Sequence, residues 1–156
     1  MPLRVVTVHG IGNTDPAYAA PLIEELRKDH PDLDYRNVYW EAIDLTPRWV
    51  PIPFAWVADL YLAVSFIFRK RRRRVYAMIQ RAVGDGEALV IGHSHGVWLI
   101  LEAMSGGPVI QHLVLMGRAV RRLPFLWPGA TKTRASKVTN FWSPVDPLSG
   151  LLEPWP

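Results

Sequence analysis

The run Gly92-His93-Ser94-His95-Gly96 sets a serine hydroxyl between two glycines. It follows the apolar stretch Ala88-Leu89-Val90-Ile91 and leads into another that begins near Val97. A serine in a tight strand-to-helix turn is lifted clear of the sheet with its Oγ exposed. So sharp a turn leaves little room for side chains on either neighbour, hence the glycines. The helix opening behind Ser94 would aim backbone N–H groups, and the positive end of its dipole, at an oxyanion forming beside the hydroxyl. The chemistry that fits is attack by Ser94 on an acyl carbon. The plainer reading is a glycine-bounded turn with an incidental serine, and the apolar strand and helix on either side weigh against it.

A second cluster, Val8-His9-Gly10-Ile11-Gly12-Asn13, closes the first apolar run of the chain. Alone it reads equally well as an ordinary strand-end turn. With both motifs in place, the chain resembles the α/β-hydrolase superfamily over nearly all its length. The resemblance implies a serine esterase or lipase in which Ser94 is the nucleophile. It implies an oxyanion held by two amides, that of Ile11 after Gly10 and that of His95 after the nucleophile. It gives His9, Gly10, Gly92, His93 and Gly96 supporting roles in the elbow and its facing loop, with His93 packed beneath the turn. No metal or organic cofactor is implied. The superfamily carries its acid on the loop after a late strand. Asp146, in Ser143-Pro144-Val145-Asp146-Pro147, is the first acidic residue after Glu102 and takes that place. Read by itself, Asp146 is a turn residue beside prolines.

The resemblance also requires a histidine after the acid, since the superfamily runs Ser, acid, His along the chain. Only Pro147 to Pro156 follow Asp146, and none of them is histidine. His93 and His95 flank the nucleophile, His9 has a structural place in the superfamily, and His112 opens an expected strand. None of the five histidines is well placed as the base by position. Two explanations stand: the chain lacks a C-terminal piece, or it works without the usual triad. The loop-like ending Leu151-Leu152-Glu153-Pro154-Trp155-Pro156 favours the first.

The elements that must carry these residues follow from length and pattern. A chain of 156 residues with 49% hydrophobic and 21% charged residues forms one domain, 1–156, with a real core. Without Cys there is no disulfide framework, thiolate metal site or cysteine nucleophile. Buried strands are expected at Val5–Val8, Ala88–Ile91 and Leu113–Met116, with two more at Val38–Ala42 and Val138–Trp142. Helices are expected at Asp15–Asp29, capped by Asp15-Pro16, at Val75–Val83 and at Val97–Met104. Alternating strands and helices give an α/β fold, a mostly parallel sheet of about five strands flanked by helices. The resemblance makes it a small α/β-hydrolase without the leading antiparallel strands of larger relatives.

Between the second and third strands lies Trp49–Phe68, whose only charge is Asp59. From Phe54 on, Trp56, Val57, Leu60, Tyr61, Val64, Ile67 and Phe68 share one helical face. Three readings are open: an apolar cap or lid within an insertion at about 46–74, an interfacial membrane helix, or a membrane span. Pro51, Pro53 and Asp59 count against the span. Arg69-Lys70-Arg71-Arg72-Arg73-Arg74 follows at once and holds six of the 18 cations, so that 12 cations face 14 acids elsewhere. Such a run fits better at the C-terminus of the apolar helix than at the N-terminus of the next, and together they could touch an anionic membrane through Trp49–Arg74. Without interleaved aromatics, a nucleic-acid partner is not expected. The N-terminus shows no signal peptide, so the expected location is cytoplasmic, with membrane association in reserve. The expected function is hydrolysis of a lipophilic small-molecule ester. Its rival is an inactive or incomplete protein of the same fold, acting as a binding or membrane-associated module.

Overall fold

The computed structural model describes residues 2–10, 15–40, 69–116 and 132–141. Five strands, β1 (Arg4–Val8), β2 (Asp34–Val38), β3 (Leu89–His93), β4 (Ile110–Met116) and β5 (Ala135–Phe141), form one all-parallel sheet in the order β2-β1-β3-β4-β5. Among the described residues the helices are α1 (Ala20–Asp29), α2 (Arg69–Val83) and α3 (His95–Ala103). The architecture is the expected α/β one. The expected cap over 49–68 lies outside the described residues.

Alternate residues of the central strands feed two cores, as the two-residue period of a strand requires. Val6, Val8, Val90 and Leu113 pack under Val75, Ile79 and Val83 of α2 and Val97 and Ile100 of α3. Val5, Ile91 and Val114 pack on the other face with Ile23 of α1. Both faces of β1 and β3 are therefore dry, which is why their sequences are continuously apolar.

Three expectations need correction. The first helix starts at Ala20, not at Asp15. A helix running through Asp15 would need Pro21 to donate an N–H that it lacks. The chain instead turns, with Ala17 N–H donating to Asp15 Oδ1 at 2.8 Å and Ala20 N–H to the Ala17 carbonyl at 2.8 Å. The second strand ends at Val38 instead of beginning there. It is an edge strand of mostly polar residues, held by Arg4 Nε donating to Asp34 (3.3 Å), by Tyr35 Oη against Thr7 Oγ1 (3.0 Å) and by Asn37 Nδ2 donating to the Pro16 carbonyl (2.5 Å). Polar edges protect a sheet from further pairing and give no apolar signal. Finally, Arg69–Arg74 lie in α2, in one helix with Val75–Val83, while the apolar helix expected before them lies outside the described residues. The buried stripe Val75, Ile79 and Val83 drives that helix, and the cations ride on its leading end against the macrodipole. Arg72 lies 5.9 Å from the Tyr76 ring centroid, a cation–π contact within the same helix.

The far end of α2 is fastened to the start of the sheet. Arg4 Nη1 donates to the Val83 carbonyl at 3.1 Å, and Arg36 Nη1 reaches the Arg81 and Ala82 carbonyls at 3.3 and 3.4 Å. These guanidinium groups serve carbonyls that a helix C-terminus leaves without partners. The chain leaves β1 toward β2 on one side and later enters β3 on the other. The loops after β1 and β3 thus diverge at their C-terminal ends, the crevice where doubly wound sheets bind ligands.

Candidate active site

Ser94 sits in that crevice, between the end of β3 and the first residue of α3. Its backbone adopts φ 51° and ψ −122°. Among the described residues it is the only non-glycine with positive φ, a conformation that costs an L-residue on the order of 1–3 kcal/mol. The turn is held by Ser94 N–H donating to the Met116 carbonyl at 2.8 Å and by Val97 N–H donating to the Ser94 carbonyl at 3.0 Å. The first bond ties the turn to the end of β4, and the second starts the helix.

The neighbouring glycines are required by what surrounds them. A Cβ on Gly92 would stand 2.7 Å from Ile100 Cδ1 and 3.1 Å from Val97 Cα, because α3 folds straight back over β3. A Cβ on Gly96 would stand 2.6 Å from the His9 carbonyl oxygen and closer still to that of Val8, because α3 abuts the end of β1. On the facing loop, a Cβ on Gly10 would meet Ser94 Cβ at 2.8 Å and Ser94 Oγ at 3.3 Å. The strand-end turn at His9-Gly10 and the elbow are thus pressed together, as the two motifs imply.

His9 is buried, and both of its ring nitrogens are engaged. Trp40 N–H donates to His9 Nε2 at 3.3 Å, so the proton resides on Nδ1, which donates to the Gly10 carbonyl at 2.5 Å. Trp40 Nε1 donates to the His9 carbonyl at 2.9 Å, and the two rings stack 5.0 Å apart with planes 2° from parallel. Desolvation, with a smaller contribution from His93, lowers the His9 pKa against the opposing pull of the Gly10 carbonyl. A neutral imidazole with Nε2 already accepting cannot take a proton from Ser94. Burial likewise lowers His95 to about 4, with its ring 6.0 Å from that of Trp40. The backbone of His95 opens α3, where a helix presents its amides. His93 ends β3 as an exposed residue, so the expectation that it packs beneath the elbow is not met. Its outward position follows from the alternation that buries Gly92 against α3. His112 bonds through Nε2 to Thr139 Oγ1 at 2.9 Å, tying β4 to β5.

The structure thus brings together Ser94, His95, His9, Gly10, Gly92, His93 and Gly96. Ile11, expected as an oxyanion donor, and Asp146, expected as the acid, lie outside the described residues. Trp40, which fixes His9 through both its backbone and its indole, was legible in the sequence only as one apolar residue of an expected strand. No periodicity could have assigned it that role. Among the described residues, no group of three or more His, Cys, Asp or Glu side chains is placed to hold a metal, and no helix is long and apolar enough to cross a membrane. The chain matches no protein-family model, no curated protein and no solved structure.

Proposed function

We propose that the protein is a serine hydrolase that cleaves a carboxylic ester through an acyl-enzyme on Ser94. The observation that carries this reading is the left-handed backbone of Ser94 at the β3–α3 turn, enclosed by glycines against which neighbouring atoms are tightly packed. Strain of this kind survives only where surrounding structure imposes it, and it clusters at functional sites. Ser94 Oγ attacks the carbonyl carbon and the ester C–O bond breaks. The alcohol leaves with a proton, and water then releases the acid and restores the hydroxyl. His95 N–H, with Ile11 N–H as the superfamily resemblance implies, holds the oxyanion. Asp146, as the resemblance implies, is the acid that orients the base. The apolar segment Trp49–Phe68 suits a lipophilic substrate.

The test is labelling by a fluorophosphonate, followed by intact mass. Wild type gains one adduct and Ser94→Ala none. Because His9 is saturated and burial disfavours a charged His95, labelling is slow, and added imidazole accelerates it. Equal labelling of both proteins would overturn the assignment. A second reading is favoured by the histidines themselves, since His9 is saturated and His95 is held neutral by burial. On that reading the protein keeps the fold and the elbow but binds without turning over. It requires that Ser94 remain unlabelled even with imidazole present.

A further inference from the structure

The chain direction of α2 places its basic end at the same edge of the sheet as Ser94. Three anchors fix that direction. Val83, Ala82 and Arg81 at the C-terminus of α2 are bonded to Arg4 and Arg36 near the start of the strands. Gln80 Nε2 donates to the Ala103 carbonyl at the end of α3 at 2.7 Å. The two helices pack side by side in one core. They therefore run the same way, both beginning at the edge of the sheet that carries Ser94. At about 1.5 Å per residue, eight residues back from the Gln80–Ala103 bond is Arg72 on α2 and His95 on α3, so the two lie within about a turn of the same height. Arg71, Lys70 and Arg69 continue outward from that level.

Before Val75, Arg72 packs on the Tyr76 ring of its own helix. Arg73 and Arg74 are exposed, and the first turn holds no acidic residue. Six cations in a row circle the helix at 100° steps and add to the positive end of its dipole. A local rule broken by cations at exposed positions points to a function outside the fold. The occupant must be anionic and broad, since the charge is not confined to one face. In sequence the run adjoins 20 residues with a single charge, Asp59, and has no interleaved aromatics. That pairing of apolar and cationic segments suits a bilayer and not a nucleic acid.

We propose that the basic first turns of α2 dock the protein on an anionic lipid surface, with the Ser94 edge of the sheet facing the bilayer. The functional meaning, delivery of a lipid ester to Ser94, rests on the hydrolase reading, but the docking itself does not.

The experiment is co-sedimentation of the full chain with mixed phosphatidylserine–phosphatidylcholine vesicles against pure phosphatidylcholine vesicles, at low and high salt. Binding is expected to the mixed vesicles, to weaken with salt, and to persist in Ser94→Ala. Arg73→Gln with Arg74→Gln, both at exposed positions, lowers the partition coefficient about 25-fold, roughly fivefold for each charge. Because the chain has no Cys, single reporters are unambiguous. A fluorophore on His93→Cys, at the Ser94 edge, is quenched by lipid-borne quencher, and one on Glu87→Cys, at the opposite edge, is not. Equal binding to neutral vesicles, indifference to salt, an unaffected double variant, quenching at position 87, or preference for an RNA duplex over vesicles would each overturn the proposal. If Ser94 fails to label while docking behaves as described, the hydrolase reading falls and the surface stands.

Discussion

At the scale of single residues, the turn around Ser94 is over-determined. Ser94→Gly should be more stable than Ser94→Ala by about 1 kcal/mol, because glycine reaches positive φ without steric cost while alanine keeps the strain. Urea midpoints of the two variants check this, and equal midpoints would mean that the backbone is relaxed. Gly96→Ala must push backbone carbonyls of Val8 and His9 that cannot swing aside. It should cost more than the 1–3 kcal/mol or so usual for overpacking, whereas Gly106→Ala, with φ +69° but open space around it, should cost only about 1–2 kcal/mol. The buried imidazoles add a pH dependence of defined sign. His95 is lowered from 6.5 to about 4 in the folded protein, so the unfolded chain binds the proton first. Its contribution to stability is complete above about pH 6.5 and is lost as pH falls toward about 4. His9 acts in the same direction. Chemical unfolding at about pH 7 and about pH 5 should show a lower midpoint at the acid value, and His95→Asn should shrink the difference. An unchanged difference would remove His95 from this account.

At the scale of elements, α2 divides into a half that buries a core stripe and a leading half in which Arg73 and Arg74 are exposed. Val75, Ile79 and Val83 supply the buried stripe, and Arg4 and Arg36 close the last turn. The leading turns oppose their own dipole. Arg73→Glu, just past the first turn, should change stability by no more than about 0.5 kcal/mol, measured by thermal melting, while weakening association with anionic vesicles. A larger fall in melting temperature would show that the arginine supports the fold. At the other end, Arg4→Gln and Arg36→Gln should each destabilise by about 1 kcal/mol, since each leaves a helix carbonyl without its donor. Together they should not be additive, because Asp34 accepts from both guanidinium groups, and Arg36 holds its carboxyl below the usual range more than Arg4 does.

For the whole molecule, stability should be graded across the sheet. β1 and β3 are paired on both sides and covered on both faces, whereas β5 is paired on β4 and shows Val138 at 56% and Phe141 at 58% exposure. Amide exchange should be slowest at Val6, Val8 and Val90, at the rate of global unfolding, and faster by orders of magnitude along β5. Uniform protection would mean that β5 is covered by something beyond the described residues. The same gradient puts the Ser94 elbow on the most stable part of the molecule, where a strained turn can be held.

What the sequence determined by itself were the parts governed by local rules. Apolar runs closed by turn residues located β1, β3 and β4. The glycine spacing around Ser94 located the elbow, because sterics at a tight turn act between neighbours in the chain. The tertiary structure decided what depends on partners distant in sequence. The polar strand β2 exists because β1 offers it an edge. α1 starts late because Pro21 has no N–H to give. His9 is neutral and saturated because Trp40, 31 residues away, caps its ring. The arginine run belongs to α2 and stands level with Ser94 because Val75, Ile79 and Val83 bury against the sheet, and burying that stripe outweighs the adverse placement of the charges.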